Sequence, residues 1–238
     1  MIQKYRILSW DSEFFGFIVA RILPDKLDLK ELKSILTDLK NRKASLAYWA
    51  SNSKDGDLQK VAKTLGGFLT GEKIIYVANL KKISPSSLPL AIKIEEYEDK
   101  KPNKDLINLI TRGGVYSRFY VDPKISRKQY EDLHKLWIVN SVKDNNIFIT
   151  KDRNQIIGFV SLNEKDKRGN IDFIVVDESF RGKGVGTALL YQAHKWFISN
   201  GYNDVQAVTQ KENVIASRMY AKCGYHIEKI ERIYHFWL

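Results

Sequence analysis

With 238 residues and 44% hydrophobic content, the chain is large enough to bury a sizeable core, and no apolar run approaches the roughly 18 residues of a membrane span. Its single cysteine excludes an internal disulfide framework, and its four histidines lack metal-ligand spacing, so we expect no metal site. The formal net charge of +11 favours anionic partners, but the basic residues are dispersed and no nucleic-acid-binding motif accompanies them, so we expect no nucleic-acid partner.

The first 83 residues are predicted to form a small α/β domain. Apolar runs predict strands at 14–23, 46–51 and 72–80, and amphipathic or glycine-terminated runs predict helices at 29–42 and 55–67. The N-terminal stretch MIQKYRILSWDSEFFG lacks the basic-then-apolar layout of a signal peptide, so we expect a cytoplasmic protein.

The strongest linker signal is KKISPSSLPL (81–90), because it combines two prolines with three serines. We therefore divide the chain into a domain over 1–83, a linker over 84–91 and a second domain over 92–238. The second domain reads strand, two helices, three antiparallel strands, helix, strand, helix and two strands. The predicted runs are 92–98, 105–114, 126–142 (with Ser126 as N-cap), 147–151, 155–164, 170–178, a helix ending near 199, 204–210, 213–224, 225–230 and 232–238.

A glycine-rich turn, RGKGVGTALL (181–190), follows the buried strand pattern IDFIVV (171–176). It lacks the GxGxxG of a dinucleotide-binding βαβ unit and the GxxxxGK[ST] of a phosphate-binding loop. Backbone N–H groups at the start of a helix bind anions, and glycines allow a phosphate to approach them closely. The turn is therefore a candidate phosphate site; the alternative is a glycine-rich turn without a ligand.

The helix pattern NVIASRMYAKCG (213–224) presents an unusual face. Asn213, Ala216 and Tyr220 are spaced so that all three lie on one side of a helix, and Gly224 is placed to end it. A helix that only packs against a core would more often carry Leu, Ile or Met at such positions. The pattern favours a binding face.

The two motifs together, R-x-x-G-x-G and then N-x-x-A-x-x-x-Y-x-x-x-G-[FY], resemble the GNAT superfamily of acetyl-CoA-dependent N-acetyltransferases. The resemblance implies an α/β (α+β) fold with a central mixed, largely antiparallel sheet flanked by helices, and acetyl-CoA as co-substrate. It places the pantetheine against Val175 and Val176, Asn213 at the cofactor and Tyr220 near the thioester sulfur as proton donor. The pyrophosphate would be held by the turn residues Arg181, Gly182, Lys183, Gly184, Val185, Gly186 and Thr187.

Further segments, WDSEFFG (10–16), GGFLTGEKI (66–74), SRFYVDPKI (117–125) and YHFWL (234–238), resemble the dTDP-fucosamine acetyltransferase group, which acetylates a dTDP-linked 4-amino-4,6-dideoxyhexose. GFLTGEK departs from that group, since threonine and glycine stand where aliphatic residues are usual. The acceptor would then be a nucleotide sugar. Candidate acceptor-side residues are Glu72 as proton acceptor, Arg118 and Lys124 for the diphosphate, and Tyr120 for base stacking.

Two other functions remain open on the sequence. One is a GNAT enzyme that acetylates a protein N-terminus, lysine, polyamine or antibiotic. The other is a non-catalytic protein that binds CoA or nucleic acid, against which the intact Asn213 and Tyr220 argue. The basic chain favours an anionic acceptor over a peptide, and the sequence permits a homodimer without requiring one.

Overall fold

The computed structural model of the chain describes residues 3–52, 55–83 and 92–238. Ten strands lie within these ranges. They are β1 (Tyr5–Ile7), β2 (Ile18–Ile22), β3 (Ala44–Asn52), β4 (Phe68–Asn79), β5 (Glu95–Glu96), β6 (Asn146–Asp152), β7 (Gln155–Lys165), β8 (Arg168–Val176), β9 (Asp204–Gln210) and β10 (His226–Trp237). They form one sheet in the order β1-β2-β3-β10-β4-β9-β8-β7-β6-β5.

The same ranges contain eight α-helices. They are α1 (Ser9–Phe15), α2 (Leu29–Asn41), α3 (Gly56–Thr64), α4 (Lys104–Gly113), α5 (Arg118–Val121), α6 (Arg127–Asp144), α7 (Val185–Ser199) and α8 (Val214–Lys222). Ser126 caps α6 as predicted: its hydroxyl accepts a hydrogen bond from the Gln129 amide, and the Gln129 side chain accepts one from the Ser126 amide, which completes a capping box.

The sheet is mixed and largely antiparallel, which confirms the predicted fold class. Only β2 with β3 and β8 with β9 run parallel among the described pairs. The helices cover both faces: Phe148 of β6 packs in the cluster beneath α7 and α8, whereas its neighbours Ile147 and Ile149 pack with α4 and α6. Because alternate residues of a strand point to opposite faces, α7 and α8 lie on one face and α4 and α6 on the other.

The two halves of the chain contribute to one continuous sheet. β10, the last strand, pairs with β3 on one side and with β4 on the other. The predicted linker over 84–91 lies outside the described residues, and the division into domains over 1–83 and 92–238 stays a prediction. No helix of the described ranges combines the length and the apolar character needed to cross a membrane.

Four predicted strands were wrong in extent. The segment 14–23 begins with the end of α1, which stops at Gly16 in a left-handed conformation with φ of 74°. The segment 92–98 forms only the two-residue β5. The two C-terminal runs form the single strand β10, in which register shifts against β4 between Ile227 and Lys229 and between Ile233 and Tyr234 interrupt the period of two that reveals a strand.

Candidate active site

A wedge-shaped cleft opens where two parallel strands of the sheet separate. β8 and β9 are paired only from Gly169 to Ile171 of β8. Beyond Ile171, β8 continues to Val176 beside β7, whereas β9 continues to Gln210 beside β4. The register between β7 and β8 shifts at this point and leaves Asp172 as an extra residue, and such a bulge bends its strand. The cleft is therefore built into the strand pairing.

A cavity of about 480 Å³ occupies this cleft and continues across the sheet. Its walls in the cleft are the segments 173–175 of β8 and 208–210 of β9. On the face that carries α8 it is lined by Asn213, Ala216 and Tyr220. On the opposite face, one group of lining residues comes from the segment that runs from the end of α4 into α6: Gly113, Gly114, Ser117, Arg118, His134 and Trp137. A second group comes from the first half of the chain: Arg21, Tyr48, Thr70 and Lys73. A molecule in the cleft would thus reach both faces of the sheet.

The predicted phosphate turn lies at the end of β8, where α7 begins. Gly182 and Gly184 have φ of 76° and 83°, which residues with a Cβ rarely adopt. A Cβ added at Gly182 would meet nothing within 4 Å, and no side chain caps α7. The first amides of α7 therefore remain available to an anion, and the turn fits a diphosphate.

The other turn residues take supporting positions. The Arg181 Nε donates a hydrogen bond to the Val176 carbonyl at 3.2 Å, which ties the turn to the strand. The Lys183 ammonium lies 4.9 Å from the Phe180 ring centroid. Val185 is buried in the first turn of α7. Thr187 is half-buried in the same turn, and a Cβ at Gly186 would approach the sulfur of Met219 in α8 to 2.9 Å.

Two predicted residues of the second motif line the cavity. Asn213 caps α8, and its Oδ1 accepts a hydrogen bond from the Ala216 amide at 3.2 Å. Tyr220 is 2% exposed, and its ring centroid lies 5.3 Å from those of Tyr76 and Tyr225. Burial raises the pKa of the Tyr220 phenol well above its ordinary value, so the hydroxyl remains protonated and able to donate at neutral pH.

Val175 also lines the cavity, as predicted for a pantetheine-binding strand, while Val176 is half-buried just beyond it. The end of α4 presses against this strand: a Cβ added at Gly113 would lie 2.8 Å from the Val175 Cγ1. The glycine therefore allows α4 to approach the cleft more closely than any other residue would.

Glu72 lies apart from the other candidates. It is absent from the cavity lining, its side chain is largely buried, and its carboxylate contacts two cations, the Lys211 ammonium and the Arg232 Nε, the latter at 3.0 Å. Burial raises the pKa of this carboxyl, but the hydrogen bonds from Lys211 and Arg232 outweigh it, so the pKa is lowered overall. A carboxylate held by two cations is a weak proton acceptor, and this placement favours a structural role.

Of the three residues predicted to bind the nucleotide part of the substrate, the structure brings only Arg118 to the cavity. Its guanidinium carbon lies 4.1 Å from the Tyr48 ring centroid and 4.6 Å from that of Phe119. Tyr120 is 45% exposed and packs edge-on against Tyr130, away from the cavity lining. The Lys124 ammonium sits over the Trp237 ring at 5.6 Å, also outside the lining.

Several residues that line the cavity were not predicted from the sequence. His134 of α6 is 2% exposed, and its Nδ1 lies 2.8 Å from the Tyr130 carbonyl oxygen. A carbonyl only accepts, so Nδ1 carries the proton and Nε2 is the basic nitrogen. Burial lowers the pKa of His134, which keeps the ring neutral at pH 7. A histidine inside an amphipathic helix pattern carries no spacing signal, so only the fold identifies it.

Asp172 is the second such residue. It lines the cavity at the bulge of β8, and its Oδ2 accepts a hydrogen bond from the Asn145 Nδ2 at 3.0 Å. Burial raises the pKa of its carboxyl, and the hydrogen bond from Asn145 lowers it to a smaller extent. The bulge that aims this side chain arises from strand pairing and leaves no motif in the sequence.

A sheet that opens between two parallel strands, with an uncapped glycine turn at one end and a buried tyrosine in the opening, defines an acyltransferase-type cleft. The family model of the acetyltransferase (GNAT) family matches residues 113–225. Streptothricin acetyltransferase A of Bacillus subtilis is 30% identical over 122 residues, which make up 50% of this chain and 69% of that protein. The chain belongs to the acetyltransferase (GNAT) family.

Two other similarities bear on the fold and on the relatives. The spore coat polysaccharide biosynthesis protein SpsD of Bacillus subtilis is 28% identical over 124 residues, covering 51% of this chain and 43% of that protein. The match thus spans less than half of that relative. The crystal structure of a GCN5-related N-acetyltransferase from Sphaerobacter thermophilus superposes with a TM-score of 0.62 at 13% identity, covering 98% of this chain and 75% of that one. It supports the fold.

Proposed function

We propose that the protein is an acetyl-CoA-dependent N-acetyltransferase that acts on the amino group of a nucleotide-linked amino-dideoxy sugar. The observation that carries the transferase proposal is the continuous cavity. It joins the cleft between β8 and β9, where Tyr220 lies on one face of the sheet, to a polar chamber on the other face, which Arg21, Lys73, Arg118 and His134 line. Acetyl-CoA supplies an acetyl group activated as a thioester. The glycine turn and the cleft would hold it, and the chamber would hold the acceptor.

Tyr220 is proposed as the donor to the departing sulfur. When the amine displaces the thiol, the C–N bond forms, the C–S bond breaks, and negative charge moves to sulfur. A phenol that stays protonated in a buried position stabilises that charge by donating a hydrogen bond, and such acid help is worth about 10²–10⁴-fold in rate. Solvent returns any transferred proton after the products leave.

His134 is proposed as the group that takes the proton from the attacking amine. Its tautomer directs the lone pair to Nε2, and the ring is neutral at pH 7. The groups near it are Tyr130 and Arg127 of its own helix, with Asp172 of β8 and Arg118 of α5 lining the same cavity. Glu72, the proton acceptor predicted from the sequence, is engaged by Lys211 and Arg232 instead.

The acceptor class is proposed on two grounds. The resemblance to the dTDP-fucosamine acetyltransferase group extends into the first half of the chain, and SpsD is a protein of polysaccharide biosynthesis. A second candidate acceptor is an amine of an antibiotic such as streptothricin, since two of the relatives are streptothricin acetyltransferases, one 36% identical over 78 residues. Both acceptors carry amines, and a direct assay distinguishes them.

The test is release of CoA from acetyl-CoA by the purified protein. The acceptors are dTDP-4-amino-4,6-dideoxygalactose, its glucose epimer, streptothricin, spermidine and a lysine peptide. The proposal expects turnover with the nucleotide sugars alone. Turnover with streptothricin alone would replace the nucleotide sugar as the proposed acceptor but leave the transferase activity supported. Absence of CoA release with every amine would contradict the transferase activity itself.

A further inference from the structure

One end of the cavity carries a cluster of positive side chains, here called the cation cluster: Arg21, Lys73, Arg118 and Lys165. They come from four separate elements, β2, β4, α5 and β7, and all four line the cavity. The carboxylate that lines the same cavity is Asp172. The lining therefore carries four positive charges against one negative charge, within a wall that is otherwise neutral.

Three members of the cluster form no direct ion pair with a carboxylate of the described residues, although the charges of Lys165 and Asp172 act on each other. Among the residues described in 3–52, 55–83 and 92–238, no ion pair within 4.0 Å involves Arg21, Arg118 or Lys165. The negative charge of Asp11 acts on Arg118 from a longer distance. Arg118 is instead held by the ring faces of Tyr48 and Phe119. Such stacking fixes the guanidinium plane and leaves its N–H groups free to donate.

The fourth member, Lys73, is partly neutralised. Its ammonium lies 2.9 Å from the Glu231 Oε2. Burial lowers the pKa of Lys73, the hydrogen bond with Glu231 opposes that effect, and the charges of Lys165 and Arg21 lower the pKa further. Burial is the largest cause that lowers the pKa of Arg118, and the positive charge of Arg21 lowers it further. The members are therefore close enough to repel one another.

We propose that the cation cluster is the binding site for the phosphate or diphosphate group of the acceptor, with Arg21, Arg118 and Lys165 as its direct ligands. Repulsion between partly buried cations is unfavourable unless an anion lies between them, and guanidinium groups bind phosphate oxygens in pairs. The site is separate from the glycine turn, since residues 181–187 are not part of the cavity lining. This inference rests on the proposed function and names the part of the acceptor that the chamber recognises.

The proposal is tested by binding alone, so that it does not depend on acetyl transfer. The protein is first saturated with CoA, which occupies the glycine turn, and is then titrated by calorimetry with inorganic pyrophosphate, dTDP and thymidine. Pyrophosphate and dTDP should bind, thymidine should bind far more weakly, and binding should weaken as NaCl is raised. Arg21→Gln and Lys165→Gln should each weaken dTDP binding about tenfold, because each removes a charge-assisted hydrogen bond.

Lys195→Gln is the matched control, because it removes one exposed positive charge from α7 outside the cavity lining. It should leave dTDP binding unchanged. The inference is overturned if CoA-saturated protein binds neither pyrophosphate nor dTDP, or if the Lys195 control weakens binding as much as the cluster variants do. Absence of CoA release in the acceptor assay would instead refute the transferase, whatever the binding result.

Discussion

Replacing Tyr220 with phenylalanine should lower kcat about a hundredfold, which corresponds to about 2.7 kcal/mol of activation free energy. The variant keeps the ring, which is 2% exposed and packs 5.3 Å from the rings of Tyr76 and Tyr225. Only the hydroxyl is removed, from a side chain that lines the cavity. The free energy of unfolding should therefore change by less than about 1.5 kcal/mol. The assay is the initial rate of CoA release with both substrates saturating, beside chemical denaturation.

Tyr225→Phe provides the matched control. Tyr225 belongs to the same aromatic cluster but is not part of the cavity lining, and its hydroxyl lies 2.9 Å from the His194 Nε2. Loss of that hydroxyl leaves a buried nitrogen unpaired, so this variant should lose about 1–3 kcal/mol of stability and keep its kcat. If Tyr220→Phe retains the wild-type kcat, or if both variants lose the same activity, the proposed role of the Tyr220 hydroxyl is refuted.

Three further outcomes follow from the structure. Gly184 and Gly201 flank α7 with φ of 83° and 82°, so alanine should strain the backbone to a similar extent at both positions. Only Gly184→Ala should weaken CoA binding in a calorimetric titration, by about tenfold or more, because only Gly184 belongs to the turn predicted to bind the diphosphate. The kcat/KM of the wild type should rise with pH through a pKa below 6.5 as His134 loses its proton. His134→Gln should abolish this rise of kcat/KM with pH, and Asp172→Asn should retain it. The reverse result would identify Asp172 as the base. Burial lowers the pKa of His194 from 6.5 to about 4, so the unfolded chain binds the proton more tightly and stability is lost as the pH falls from 6.5 to 4. The His194 contribution to the free energy of unfolding should differ by about 2.4 kcal/mol between pH 7 and pH 4.5, and denaturation of the wild type and of His194→Gln at both pH values measures it.

The cofactor side of the site could be predicted from the sequence because its residues are close together along the chain. The turn at 181–187 and the face formed by Asn213 and Tyr220 depend on the local geometry of a strand, a turn and a helix, which spacing reveals. The structure places Val175, Asn213 and Tyr220 around one cavity. The roles of these residues in binding acetyl-CoA stay predictions.

The acceptor side could not be predicted in the same way, because tertiary packing alone brings its residues together. Arg118 and Lys124 are six positions apart and looked equivalent as phosphate ligands, yet one stacks on Tyr48 in the cavity and the other on Trp237 outside it. Glu72 has the residue type of a base, but its neighbours Lys211 and Arg232 come from distant strands or turns. The sequence contains no signal for such neighbours.

The position of β10 explains why these two sides differ. This strand lies between β3 and β4, so Arg21 of β2 and Tyr48 of β3 are joined to the rest of the sheet through β10, whereas β4 also pairs with β9 directly. The His235 Nδ1 of β10 donates to the Asp122 carboxylate at 2.6 Å, just after α5, which carries Arg118. The family match over 113–225 contains the turn, Asn213 and Tyr220, but not Arg21 or Lys73. The family match therefore contains the predicted cofactor side, whereas the proposed acceptor site also draws on residues outside that match.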